Sequence, residues 1–76
     1  MIKIENIIQV INNVVPSAQL TVNDIDVELR IRGVDSLDLF NVLLELENQT
    51  SIEVPDEELP NLKTLRALLG YFNSSR

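Results

Sequence analysis

The sequence predicts a small all-α protein: a four-helix bundle with three main helices, one short helix, and a long loop between the first and second helices. The chain has 76 residues, enough for one small domain, and we expect residues 1–76 to form that single domain. Apolar residues recur at spacings of three and four in three separate stretches, which is typical of amphipathic helices. Turn-forming residues separate these stretches.

The first helix is predicted from one apolar stripe. Pro16 ends it, because a proline ring cannot continue the hydrogen-bond ladder. The β-branched residues would also suit a strand, but the spacing favours a helix. The members of the stripe are Ile4, Ile7, Ile8, Ile11, Val14 and Val15.

A long loop is predicted from Ser17 to Val34, where no periodicity is sustained. Turn formers lie along it, namely Asn23, Asp24, Asp26 and Gly33. Long loops in compact domains are usually functional or anchored. We therefore expect five apolar side chains to pin the loop to the core: Leu20, Val22, Ile25, Leu29 and Ile31.

The second helix is predicted from Asp35 to about Thr50, a stretch without glycine or proline. A short break from Ser51 to Pro55 follows, with Ile52 and Val54 expected to point inward. Asp56 to Leu59 is predicted to form one helical turn, with acid at its N-terminus as the helix dipole prefers.

The last helix is predicted to begin at Thr64, whose hydroxyl can cap it. Its expected buried stripe is Leu65, Leu68, Leu69 and Phe72. We expect Asn73 to Arg76 to be a frayed tail.

The second helix carries apolar residues on two nearly opposite faces. At 100° per residue, one face is a normal core stripe of Leu39, Val42, Leu43, Leu46 and Thr50. The other face, called the apolar strip below, consists of Leu37, Phe40 and Leu44. Polar residues flank it: Asp38, Asn41, Glu45, Glu47 and Asn48. Such a strip suits transient docking of a basic partner. In the alternative, the long loop folds over Leu37, Phe40 and Leu44 and buries them, so the exposure of Phe40 and Leu44 distinguishes the two.

Composition excludes several classes of function. The net charge of −6 argues against nucleic acid and anionic membranes as partners. It suits partners with basic patches, although it can also serve solubility alone. The chain has neither cysteine nor histidine, so disulfides, a thiolate zinc site and the usual general base are missing. No nucleophile–base pair can be named, and we expect no catalytic residue.

Neither a targeting segment nor a metal site is predicted. The N-terminus does not read as a signal peptide and no apolar run reaches transmembrane length, so we expect a cytoplasmic location. Asp24, Asp26 and Glu28 resemble a calcium loop only loosely, because Leu29 stands where an EF-hand needs glycine. We interpret these acids as a solvated loop face and expect no metal ion.

Ser36 lies at the junction of the long loop and the second helix, within Gly33–Leu37. A helix N-terminus offers free N–H groups and partial positive charge, which would stabilise a phosphate on that hydroxyl. Asp-Ser is also an ordinary helix start, since either residue can act as the cap. Because the chain lacks a base to activate it, Ser36 is better interpreted as a substrate of another enzyme than as a catalyst.

The motif from Gly33 to Leu39, followed by Leu43, Leu46, Glu47 and the stretch 52–58, resembles the acyl carrier protein family over nearly the whole chain. The resemblance implies the family's four-helix bundle. It also implies that Ser36 is the attachment point of 4′-phosphopantetheine, transferred from coenzyme A by a phosphopantetheinyl transferase. The terminal thiol of that arm would carry acyl cargo as a thioester in fatty-acid, polyketide or related biosynthesis.

The resemblance also implies partner-recognition residues. Asp35, Leu37 and Asp38 match positions that help the transferase recognise the serine. The remaining matches lie where acyl-loading, condensing and tailoring enzymes dock through basic patches: Phe40, Leu44, Glu45, Glu47 and Asp56. A monomer is expected.

Four residues depart from the common family pattern: Arg32 for leucine, Phe40 for valine, Asn41 for an acid and Thr50 for phenylalanine. We expect Leu29 or Ile31 to replace the missing leucine anchor. The departures favour a specialised pathway, such as polyketide, aminoacyl or modified-lipid assembly. Within the carrier class, the alternative is an aminoacyl or peptidyl carrier of such a pathway. The alternative from another class is an acidic helical interaction module that uses the apolar strip, with Ser36 only a cap.

Overall fold

The computed structural model describes residues 2–74, which form three α-helices: α1 (Ile4–Val14), α2 (Ser36–Thr50) and α3 (Leu65–Ser74). Four short 3-10 helices accompany them: Pro16–Ala18, Val22–Asp24, Leu29–Arg32 and Asp56–Asn61. This part of the chain contains no β-strand. The predicted all-α bundle is confirmed, and Asp56–Asn61 is its short fourth helix.

The core lies where the three α-helices meet, with α1 packed against both α2 and α3. Every fully buried side chain among residues 2–74 is apolar. Each helix contributes a stripe spaced by three and four: Ile7, Val10 and Ile11 from α1, Val42, Leu43 and Leu46 from α2, and Leu65, Leu68 and Phe72 from α3. No helix in this range is long and apolar enough to cross a membrane.

The long connection between α1 and α2 is pinned by fewer of the predicted residues than expected. Leu20 and Leu29 are buried and Ile25 is half-buried, but Val22 and Ile31 are exposed, so the prediction is wrong for these two. Ile31 faces outward because the 3-10 helix Leu29–Arg32 turns Leu29 towards the core. Val34, just before α2, is buried as well.

Polar contacts complete the anchoring of this connection. The Arg32 guanidinium donates to the Ala18 carbonyl at 3.1 Å and to the Asp24 carboxylate at 3.4 Å. Asn12 of α1 exchanges two hydrogen bonds with the backbone of Leu20, at 2.9 and 3.1 Å. Arg32 therefore ties the first two 3-10 helices to the third.

The segment after α2 is also held by side chains. The Glu47 carboxylate accepts a hydrogen bond from the Val54 N–H at 2.6 Å, and Ile52 and Val54 are half-buried as predicted. The Thr50 hydroxyl donates to the Leu46 carbonyl at 2.7 Å and accepts from the Ile52 N–H at 3.2 Å. These bonds terminate α2 and direct the chain towards the short helix.

The start of α3 is capped as predicted, because the Thr64 hydroxyl accepts from the Ala67 N–H at 3.1 Å. The prediction of a frayed tail is wrong for Asn73 and Ser74, because both residues belong to α3. The Asn73 side chain accepts from the Ile2 N–H at 3.1 Å and so joins the two ends of the bundle. The rest of that predicted tail, residues 75–76, lies outside the described residues.

Candidate functional site

Ser36 is the first residue of α2, and its side chain is exposed. Asp35 caps this helix: its carboxylate accepts from the Asp38 N–H at 2.8 Å, while the Asp38 carboxylate accepts from the Asp35 N–H at 3.5 Å. This reciprocal capping box leaves the serine hydroxyl without a capping role. The sequence offered both Asp35 and Ser36 as the N-cap of α2, and in the structure Asp35 is the cap. Helix capping therefore does not explain why a serine occupies position 36.

Gly33 makes the sharp turn that leads into α2. Its φ of +90° lies in the left-handed region, where a side chain is strained. The Gly33 N–H bonds the Arg30 carbonyl and the Val34 N–H bonds the Leu29 carbonyl, both at 3.1 Å. With Val34 buried on one side, the turn presents Ser36 outward.

A cleft of about 360 Å³ opens beside Ser36. It lies between the 3-10 helix Leu29–Arg32, the first turn of α2 and the segment before α3. Its apolar wall is formed by Leu29, Val34, Leu39, Leu59, Pro60 and Leu62, and its polar rim by Glu28, Arg30, Asp35 and Lys63.

These features fit a phosphodiester-linked arm. The hydroxyl is accessible to another enzyme, and the Ser36 and Leu37 N–H groups at the positive end of α2 bond nothing among residues 2–74. The neighbouring cleft offers an apolar surface for the arm. The chain has no histidine or cysteine, and the Asp35 carboxylate that precedes Ser36 is used as the cap of α2.

The apolar strip of α2 is exposed. Leu37 is 71%, Phe40 45% and Leu44 44% accessible, whereas Leu46 on the opposite face is 0% accessible. The long connection does not cover Phe40 and Leu44, so the alternative in which it buries them is wrong. An exposed apolar strip beside Ser36 is what a transient docking surface requires.

The charged residues of the segment that contains this strip are all negative. Residues 33–62 contain eight of the twelve acidic residues and no cation. Of the predicted recognition residues, Asp35, Glu45 and Asp56 are exposed and Asp38 is half-buried. Glu47 is half-buried, and its carboxylate accepts a hydrogen bond from the Val54 N–H, which stabilises the segment after α2. These carboxylates give the surface around the strip a negative electrostatic potential.

The three acids of the loop are paired with arginines instead of being grouped around a common point. Glu28 lies 3.3 Å from Arg30, Asp24 lies 3.4 Å from Arg32, and Asp26 accepts two bonds from Arg66 at 2.6 and 3.1 Å. The hydrogen bond from Arg66 lowers the pKa of Asp26 below its ordinary value. Asp26 and Glu28 lie on the solvated face that was predicted, whereas the Asp24 side chain is only 14% accessible.

The comparisons with known proteins agree with the geometry. Residues 3–72 match the family model described as a phosphopantetheine attachment site, so the match covers nearly the whole chain. No solved structure matches the chain in the corresponding comparison.

Curated relatives of this chain carry the name acyl carrier protein. The Rickettsia bellii protein is 30% identical over 80 residues, which span 100% of this chain and 99% of that protein. The Helicobacter hepaticus protein is 32% identical over 66 residues, which span 83% and 87%. An acyl carrier protein homolog of Ureaplasma parvum is 36% identical over 53 residues, which span 70% and 69%.

Proposed function

The chain belongs to the acyl carrier protein family, whose cofactor is a covalently bound 4′-phosphopantetheine, and from this premise we propose that Ser36 carries that arm. The observation that carries the proposal is the exposed hydroxyl at the first position of α2, beside the cleft and free of a capping role. When bound, the arm supplies a terminal thiol that holds acyl cargo as a thioester.

The residues around Ser36 prepare the site without performing chemistry. The Asp35–Asp38 capping box fixes the first turn of α2, and Gly33 turns the preceding chain away from the hydroxyl. The free N–H groups of Ser36 and Leu37 would stabilise the phosphodiester. The protein acts as a carrier and cosubstrate, and the transferase that modifies it supplies the catalytic groups.

Recognition by partners is proposed to use two regions of α2 and one exposed acid. Asp35, Leu37 and Asp38 would contact the phosphopantetheinyl transferase. Phe40, Leu44 and Glu45 would contact the acyl-loading, condensing and tailoring enzymes. Glu47 lies at the edge of the same face, and Asp56 at the start of the short helix is a further contact. Exposed apolar side chains would supply affinity while the surrounding acid steers basic surfaces towards the strip.

The pathway is proposed from the departures in sequence. The chain would serve fatty-acid, polyketide or related biosynthesis, with a specialised pathway favoured by Phe40 and Asn41 on the docking face. An aminoacyl or peptidyl carrier is the second candidate within the class. We also propose that the protein is a cytoplasmic monomer, with residues 1–76 forming one carrier domain.

Intact mass tests the attachment directly. The protein is incubated with coenzyme A, Mg²⁺ and a broad-specificity phosphopantetheinyl transferase, beside Ser36→Ala and the matched control Ser17→Ala, which changes another exposed serine. We expect a gain of one phosphopantetheine in the wild type and the control only. If several transferases leave the wild type unmodified, the acidic interaction module becomes the better interpretation.

A further inference from the structure

The cleft beside Ser36 has two cations on its rim, Arg30 and Lys63, and only Arg30 forms an ion pair within residues 2–74. Four charged residues line the rim, and three of them are engaged: Glu28 and Arg30 pair with each other at 3.3 Å, and Asp35 caps α2. The fourth is Lys63, and none of the ion pairs found among residues 2–74 includes it.

Lys63 is held at the cleft by its own backbone. Its carbonyl accepts a hydrogen bond from the Leu29 N–H at 2.8 Å, which joins the segment before α3 to the 3-10 helix Leu29–Arg32. The neighbouring Leu62 is buried, and Thr64 caps α3. The base of the lysine side chain is therefore fixed on the rim of the cleft that Ser36 also lines.

Modification of Ser36 places a new negative charge where negative charge is already concentrated. The phosphodiester would lie beside Asp35 and Asp38, in a region of 30 residues that contains no cation. Lys63 directly follows that region and lines the same cleft, whereas Arg30 is already paired. Opposite charges that line one small cleft attract each other, and a lysine is a suitable point-charge partner for a phosphate.

We propose that Lys63 binds the phosphodiester of the arm and holds the arm on the cleft side of α2. This rests on the proposed attachment to Ser36. The cleft side is the side of Leu39, whereas the apolar strip lies on the other side of Ser36 around the helix. Lys63 thus keeps the arm off the surface that partner enzymes use. Because the pair is exposed, it biases the position of the arm by about two- to fivefold and does not fix it.

The chain has only two lysines, and this makes the test simple. The ¹⁵Nζ signals of Lys3 and Lys63 are compared in lysine-labelled protein before and after modification, with the arm thiol free so that no cargo carboxylate is present. Intact mass confirms complete modification. We expect the Lys63 signal to move and the Lys3 signal to stay, and the change to disappear in about 0.5 M salt, where charges are screened within a few Å.

The ³¹P signal of the modified protein provides the reciprocal measurement. Its shift and line width are expected to change in Lys63→Gln, to stay near wild type in Lys63→Arg, and to be unaffected in Lys3→Gln, which removes the same charge elsewhere. If modification is complete but Lys63→Gln and Lys3→Gln give the same ³¹P spectrum, the role of Lys63 is refuted and the carrier function stands. If the mass shows no modification, both proposals fail.

Discussion

Two leucines of α2 that lie two residues apart should respond very differently to truncation. Leu46 is 0% accessible in the core, whereas Leu44 is 44% accessible in the apolar strip. Replacing a fully buried leucine by alanine costs about 3 kcal/mol or more, because it removes transfer free energy and leaves a cavity. Leu44→Ala loses only the buried part of its side chain, at most about 1 kcal/mol. The gain in helix propensity is the same at both positions and cancels in the comparison.

Urea unfolding followed by circular dichroism at 222 nm measures the difference. With a urea dependence of about 1 kcal/mol per molar for a domain of this size, the midpoint should fall by about 3 M for Leu46→Ala. It should fall by less than about 1 M for Leu44→Ala. Total stability is on the order of 4–11 kcal/mol, so the Leu46 variant keeps only part of it.

Leu37→Ala extends the comparison from stability to function. Leu37 is 71% accessible, so its truncation should leave the urea midpoint nearly unchanged. If the strip is used for recognition, kcat/KM for modification by the transferase should fall about tenfold, as for an interface anchor. Equal losses of stability at Leu44 and Leu46 would refute the two-faced description of α2. A fully active Leu37→Ala protein would refute its role in recognition.

Three further predictions concern charged residues. Arg32→Leu should lower the free energy of unfolding by about 1 kcal/mol, because it breaks the hydrogen bonds to Ala18 and Asp24. It should also speed amide hydrogen exchange between residues 18 and 24. Arg30→Leu, which removes an exposed ion pair, is the control, and equal behaviour of the two variants would contradict the anchoring role of Arg32. The Asp26 carboxyl should titrate below 3.8 by NMR and return towards that value in Arg66→Gln. Because the pKa of Asp26 is lower in the folded than in the unfolded state, the Asp26–Arg66 pair stabilises the fold above about pH 4. This contribution is lost as the pH falls through the folded-state pKa. An Asp26 titration midpoint that Arg66→Gln leaves unchanged would contradict this prediction. Finally, the net charge of −6 predicts that Tm rises between about 0.02 and 0.2 M salt, and a Tm independent of salt would count against self-repulsion.

The helices were predictable because their signals are local. The stripe of α1, the proline after it and the Thr64 cap each depend on residues within a few positions of one another. The position of Ser36 at the start of α2 and the two faces of that helix follow from the same short-range periodicity. The fold class and the apolar strip could therefore be predicted from spacing and side-chain type alone.

The long connection shows what spacing cannot settle. Whether Val22 and Ile31 are buried depends on how three 3-10 turns are oriented against the core, and no period of the sequence encodes that. Arg32 binds Ala18, 14 residues earlier, and Lys63 joins Leu29, 34 residues away. Such partners are chosen by the packed arrangement of the elements.

The sequence by itself determined the helices, the acidic surface and the serine, because each depends on neighbouring residues and on charges that can be counted. Only the tertiary structure decided that the apolar strip stays uncovered and that a cleft with Lys63 on its rim adjoins the hydroxyl. The physical reason is that both features depend on contacts between elements that are distant in the sequence. The strip is exposed because no other segment folds over it, and the cleft is formed by segments about 30 residues apart.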